Sequence, residues 1–148
     1  MLIYENMKKI LVALGLFLIL SASVYTGFKS GYQNGREDVL FLSAQGSVHE
    51  AMECFEEYKE SEHESDYLYG VSAFKSFINS YKLLIGGDSS QSPSYTYCNE
   101  LYGSMVLFPG KCQDNIDSLI DITSLLSEDP LDANAFIKVS ELNNIIEK

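Results

Sequence analysis

Basic residues are scarce in this chain. Arg36 is the single arginine and the lysines are scattered, so the residues that would neutralise a phosphate backbone are missing and nucleic acid is not an expected partner. Also absent are H-x-x-x-H and C-x-x-C spacings, glycine-rich phosphate loops and the G-x-S-x-G turn. Their absence removes the short signatures of zinc, nucleotide and esterase chemistry, and no cofactor or metal is expected. Long polar or repetitive tracts do not occur, so nothing argues for disorder. Almost nothing alternates with a period of two, which leaves helices as the main element.

What the chain has in excess is negative charge and tyrosine. The formal net charge is −11, and ten tyrosines stand against no tryptophan. An acidic surface either aids solubility or speeds encounter with a basic partner, so a basic protein is the natural electrostatic complement.

The amino-terminal region sets the expected destination. Lys8 and Lys9 precede the apolar run from Ile10 to Leu20, the charged and apolar regions of a secretory signal. Ser21-Ala22-Ser23 supplies small residues for cleavage before Val24. No charge occurs from Ile10 to Phe28, a run of 19 residues that reaches the roughly 20 needed to span hydrocarbon, so the same segment can instead stay as an inner-membrane anchor. Both readings place the remainder in the periplasm, because positive charge stays inside. Gly27, Gly31 and Gly35 recur every four positions and would form a close-approach face for helix pairing, or serve a flexible linker. The expected organisation is residues 1–28 as signal peptide or anchor, 29–46 as linker, and 47–148 as an acidic helical domain.

Within that domain the apolar spacing predicts an all-α bundle of about four to five helices. Ser47-Val48-His49-Glu50 has the form of a capping box, opening a helix to about Lys59. Glu60 to Ser65 reads as a solvated connection. Leu68, Val71, Phe74, Ile78, Tyr81 and Ile85 mark a second helix that stops at Gly86-Gly87, before a serine-rich turn from Asp88 to Pro93. Cys98, Leu101, Tyr102, Met105 and Val106 mark a third, ended by Pro109-Gly110. Ile116, Leu119, Ile120 and Leu126 give a fourth. After Asp129-Pro130, Phe136, Val139, Leu142 and Ile146 give a fifth.

Three cysteines in an exported chain allow one bridge and one leftover. Cys98 and Cys112 flank Pro109-Gly110 and are the preferred pair; closing a loop of about 15 residues contributes about 3 kcal/mol in the chain-entropy model. Cys54 with Cys112 is the alternative pairing. His49, Glu50, Glu53, Glu57, His63 and Asp66 crowd one region, but the pattern reads as a solvated acidic helix face rather than a metal site. No pair of carboxylates stands out as catalytic. Tyrosine combines a rigid apolar body with a polar tip, so Tyr95, Tyr97 and Tyr102 are the candidates for meeting a partner, whereas Tyr81 falls in the core stripe.

From Ala51 to Leu142 the chain resembles the Rap/Tai-type immunity proteins that protect bacteria from type VI secretion effectors. The resemblance rests on a first helix with Cys54, the helix start Tyr67-Leu68-Tyr69-Gly70, and Cys112 leading into a helix with Ile116, Leu119 and Ile120. Asp129-Pro130 before a last amphipathic helix completes it. A cysteine usual before the Tyr-x-x-Gly helix and the terminal Phe-Pro-Cys are absent, so the family's disulfide pattern does not transfer. The resemblance implies a small, often dimeric helical protein without catalysis of its own, inhibiting a cell-wall-degrading enzyme by covering its active site. Two other readings stand beside this one: a membrane-anchored accessory subunit pairing through its glycine face, and a hydrolase using unrecognised carboxylates.

Overall fold

The computed structural model describes residues 2–86 and 91–147. It is all-α, with no strand among the described residues. The helices are α1 (Leu2–Ser61), α2 (Glu64–Ile85), α3 (Pro93–Leu107), α4 (Pro109–Gln113), α5 (Ile116–Glu128) and α6 (Ala133–Ile146). The chain divides into two units after Asp38. Residues 2–38 are helical throughout. Among them Leu20, Val24, Tyr25 and Tyr32 are exposed, and the Thr26 hydroxyl donates back to the carbonyls of Ala22 and Ser23 at 3.0 Å.

The second unit holds the core, and most of its helices follow the expected stripes. Val71, Phe74, Ile78 and Tyr81 of α2, Cys98, Leu101 and Met105 of α3, and Leu119 and Leu126 of α5 are buried. So are Phe136, Val139, Leu142 and Ile146 of α6. Each fully buried Phe, Leu or Ile contributes about 1.5–3 kcal/mol.

Four sequence expectations are corrected. Residues 29–46 are helix within α1 rather than an irregular linker, and the core begins inside that segment, at Ala44. The Ser47 capping box is therefore not used: Ser47 lies within α1, and Val48, Ala51 and Phe55 continue the buried stripe. Gln45 fastens this stretch by donating from Nε2 to the Ser127 carbonyl at 2.8 Å, at the end of α5. Third, the connection expected over Glu60–Ser65 shrinks to Glu62 and His63. Glu62 adopts a left-handed φ of 55° and its N–H closes α1 on the Tyr58 carbonyl at 2.8 Å, an αL ending that satisfies an otherwise orphaned carbonyl. Fourth, Pro109-Gly110 opens the short α4 instead of only ending α3; proline suits a first helical position because its missing N–H has no partner there. The serine-rich turn expected from Asp88 lies, up to residue 90, outside the described residues.

Asp129-Pro130 does separate α5 from α6. Asp132 then caps α6, its carboxylate accepting from the Ala135 N–H at 2.9 Å.

Close approach of α1 and α2 depends on Gly70. A β-carbon there would lie 2.5 Å from Phe55 Cε1 and 2.7 Å from Cδ1. Three residues earlier Tyr67 is also buried, its ring 5.9 Å from that of Phe55 and 5.5 Å from that of Tyr58. Its hydroxyl donates to the Met105 carbonyl at 3.2 Å, tying α2 to α3. Gly70→Ala gains helix propensity but must displace a fully buried ring, so it is expected to lower stability by about 1–3 kcal/mol. Denaturant titration measures this, and Phe55→Leu in the same chain is expected to restore part of the loss.

Candidate functional site

Five lysines are described in the second unit, and each is held against the fold. Lys59 pairs with Asp117 at 2.7 Å, and Lys138 pairs with Asp121. Lys75 lies over the Tyr102 ring at 4.5 Å and Lys82 over Tyr95 at 5.9 Å, within reach of a cation–π attraction. Lys111 donates to the Ile146 carbonyl at 2.6 Å, closing the end of α6. Among the described residues, Glu141 of α6 has no cation paired with it.

The tyrosine candidates consequently separate. Tyr95 and Tyr102, seven residues apart on α3, lie under Lys82 and Lys75, also seven apart on α2, so their rings serve the α2–α3 contact. Tyr97 faces the other way. Its carbonyl accepts from Asn143 Nδ2 at 2.9 Å, and its side chain lines an open groove between α3 and α6.

That groove, about 440 Å³, is lined by Pro93, Ser94, Tyr97, Phe136, Ile137 and Glu141 among others, and its surface is mostly apolar. Ile137 is 57% exposed. A second, smaller cleft of about 180 Å³ lies on the opposite flank of α6, against α5, bordered by Ser118, Asp121, Lys138, Glu141 and Ile145. Glu141 borders both. The exposed residues Ile137, Glu141 and Ile145 fall at i, i+4 and i+8, one line along the outer face of α6. Sequence periodicity overlooked this line because it counted only the inward stripe of Phe136, Val139, Leu142 and Ile146. The outward isoleucines were the available signal.

The expected Cys98–Cys112 bridge is not formed: all three cysteines are free thiols. The Tyr67 hydroxyl donates to the Met105 carbonyl at 3.2 Å and lies beside the Cys112 thiol. Burial pushes the Cys98 thiol up to about 12 and raises Cys112 as well. Half-buried Cys54 is raised by burial and then by Glu57, Glu50, Asp66 and Glu53. Burial likewise raises Tyr67 and Tyr81.

The acidic region around His49 and His63 forms no cluster of three or more metal ligands among the described residues. His49 approaches Glu53 at 3.5 Å. Gly27, Gly31 and Gly35 lie in α1 with open space where a β-carbon would project. Among the described residues no helix is long and apolar enough to cross a membrane, while the side chains from Ile10 to Ile19, in the segment expected as signal or anchor, lie outside that description. Comparison with protein-family models, with curated proteins and with solved structures returns no match.

The enclosed Cys98 thiol makes stability depend on alkaline pH. An unfolded thiol ionises near 9 whereas the folded one holds its proton to about 12. Its contribution is thus complete below pH 9 and falls above it, by about 1.4 kcal/mol per pH unit for one proton. In reducing buffer, the unfolding free energy is expected to drop as pH rises from 9. Cys98→Ala is expected to drop less steeply by that one-proton slope, the residual fall coming from Cys112 and the buried tyrosines.

Proposed function

We propose that this chain is a non-enzymatic, exported helical protein that recognises a protein partner through the α3/α6 groove. Inhibition of a cell-wall-degrading effector is the sharpest form of that reading. The observation that carries it is the groove itself, an open apolar trough with Tyr97 and Phe136 in its walls and Ile137 exposed at its rim. Aromatic and aliphatic anchors in a concave surface are what protein recognition uses. Among the described residues Glu141 is the one carboxylate lining the groove, and no histidine, cysteine or lysine lines it, which suits recognition better than acid–base chemistry between paired groups. The leader and the immunity-protein resemblance supply the expected compartment and the class of partner.

A photo-crosslinking residue in place of Ile137, in the full chain in its native cells, is expected to give a discrete protein adduct. The same residue in place of exposed Glu100 on α3 is expected to give none. No adduct at 137, or equal adducts at both positions, overturns the reading.

A second reading, the membrane-anchored accessory subunit, is favoured by one observation: α1 runs unbroken through Ser21-Ala22-Ser23, whereas signal peptidases act on extended backbone. It predicts that the membrane fraction holds a chain of full intact mass; an amino terminus at Val24 ends it.

A further inference from the structure

We infer that the outer face of α6 is a docking surface for a basic amphipathic helix, whose apolar residues enter the clefts on the two flanks of α6 and whose lysine or arginine meets Glu141. This rests on the protein-binding reading of the α3/α6 groove and adds the partner's chemistry.

Three observations converge on that occupant. First, the surface is continuous: Glu141 borders both clefts, and Ile137 and Ile145 flank it at 57% and 55% exposure. Eight residues of helix place the two isoleucines about 12 Å apart, two anchor points that one helical face can cover. Second, the charge is unanswered from within. Lys138, the basic residue bordering the α5/α6 cleft, is committed to Asp121, and the other described lysines of this unit are held against Asp117, Tyr95, Tyr102 and the end of α6. A carboxylate between two exposed isoleucines, in a chain of net charge −11, selects a cation from outside. Third, the host offers side-chain clefts between helices and, among the described residues, no strand edge for strand addition; exposed anchor points in line along one helix suit helix-in-groove docking.

A second copy of the chain fits poorly. A two-fold pairing of α6 on α6 centred on this line would set Glu141 against Glu141 between the isoleucines, because such an interface uses the same patch on both partners.

The test uses the full chain and a leucine/lysine peptide of about 18 residues, long enough to be patterned as one amphipathic helix. Its counterpart carries glutamate for every lysine. Titration calorimetry is expected to show binding of the lysine peptide and none of the glutamate peptide. Ile137→Ser with Ile145→Ser is expected to weaken binding at least tenfold, and Glu141→Lys by a similar factor while creating affinity for the glutamate peptide. Glu100→Lys makes the same charge change elsewhere and is expected to stay within about twofold of the parent, as befits an attraction local to α6 rather than diffuse. Positions 137, 141 and 145 are exposed, and unchanged circular dichroism and denaturation midpoints confirm that the variants fold.

Equal weakening by Glu100→Lys and Glu141→Lys overturns the inference in favour of diffuse attraction. Absence of lysine-peptide binding overturns it as well, as does sedimentation showing a dimer that Ile137→Ser dissolves, since the occupant is then a second copy. A crosslink from position 137 together with peptide failure discards the basic helix and keeps the groove as a binding site; loss of both discards both.

Discussion

The Phe55 ring lies where a β-carbon at position 70 would be, and this close approach holds together more than two helices. Tyr67, one turn before Gly70, packs on the same ring and carries its hydroxyl on to the Met105 carbonyl and the Cys112 thiol. A single buried joint thus registers α1 against α2 and, through one tyrosine, ties α2 to α3. With α3 fixed, Tyr81 reaches Ser94 at 2.7 Å and its ring packs tilted against Phe136 at 5.3 Å between ring centres, which joins α2 to α6. The α3/α6 groove is therefore downstream of the Phe55 notch. Its walls come from two helices that also meet directly, Asn143 Nδ2 of α6 donating to the Tyr97 carbonyl of α3 at 2.9 Å.

The distribution of charge follows from the same packing. The five described lysines of the acidic unit each find an internal partner, two of them aromatic rings of α3. Cations so placed join helices but leave most surface carboxylates, Glu141 among them, facing solvent without a counter-charge. Such a surface repels copies of itself and attracts basic proteins. Repulsion also costs compact-state stability, which makes the dense apolar joint around Phe55 the more necessary.

Much of the bundle was legible in the sequence, because an inward stripe is a one-dimensional pattern: Phe136, Val139, Leu142 and Ile146 declare α6 without knowledge of its neighbours. What lay beyond reach was tertiary. Whether Ser47 starts a helix or lies inside one depends on Ala44 being covered from elsewhere. Whether Cys98 meets Cys112 depends on how α3 and the short α4 pack, which loop length does not reveal. The candidate tyrosines show the same limit, since composition identifies an aromatic but not whether a lysine from the next helix covers its face; among the described residues Tyr95 and Tyr102 are so covered and Tyr97 is not. The exposed isoleucines of α6 were present in the sequence throughout, and they acquire meaning only beside the two clefts.

Free thiols and the proposed export do not conflict. A thiol forms a disulfide through its thiolate, so both the rate and the site of oxidation follow the ionised fraction and access. Burial keeps Cys98 and Cys112 protonated and enclosed, while four carboxylates disfavour ionisation at half-buried Cys54. The same acidity that would draw a basic partner repels anionic oxidants and disulfides from Cys54. A chain protected in this way can keep three reduced cysteines in an oxidising compartment without the bridge that its loop length invites. Its stability then rests on packing, centred on one glycine that leaves room for a phenylalanine.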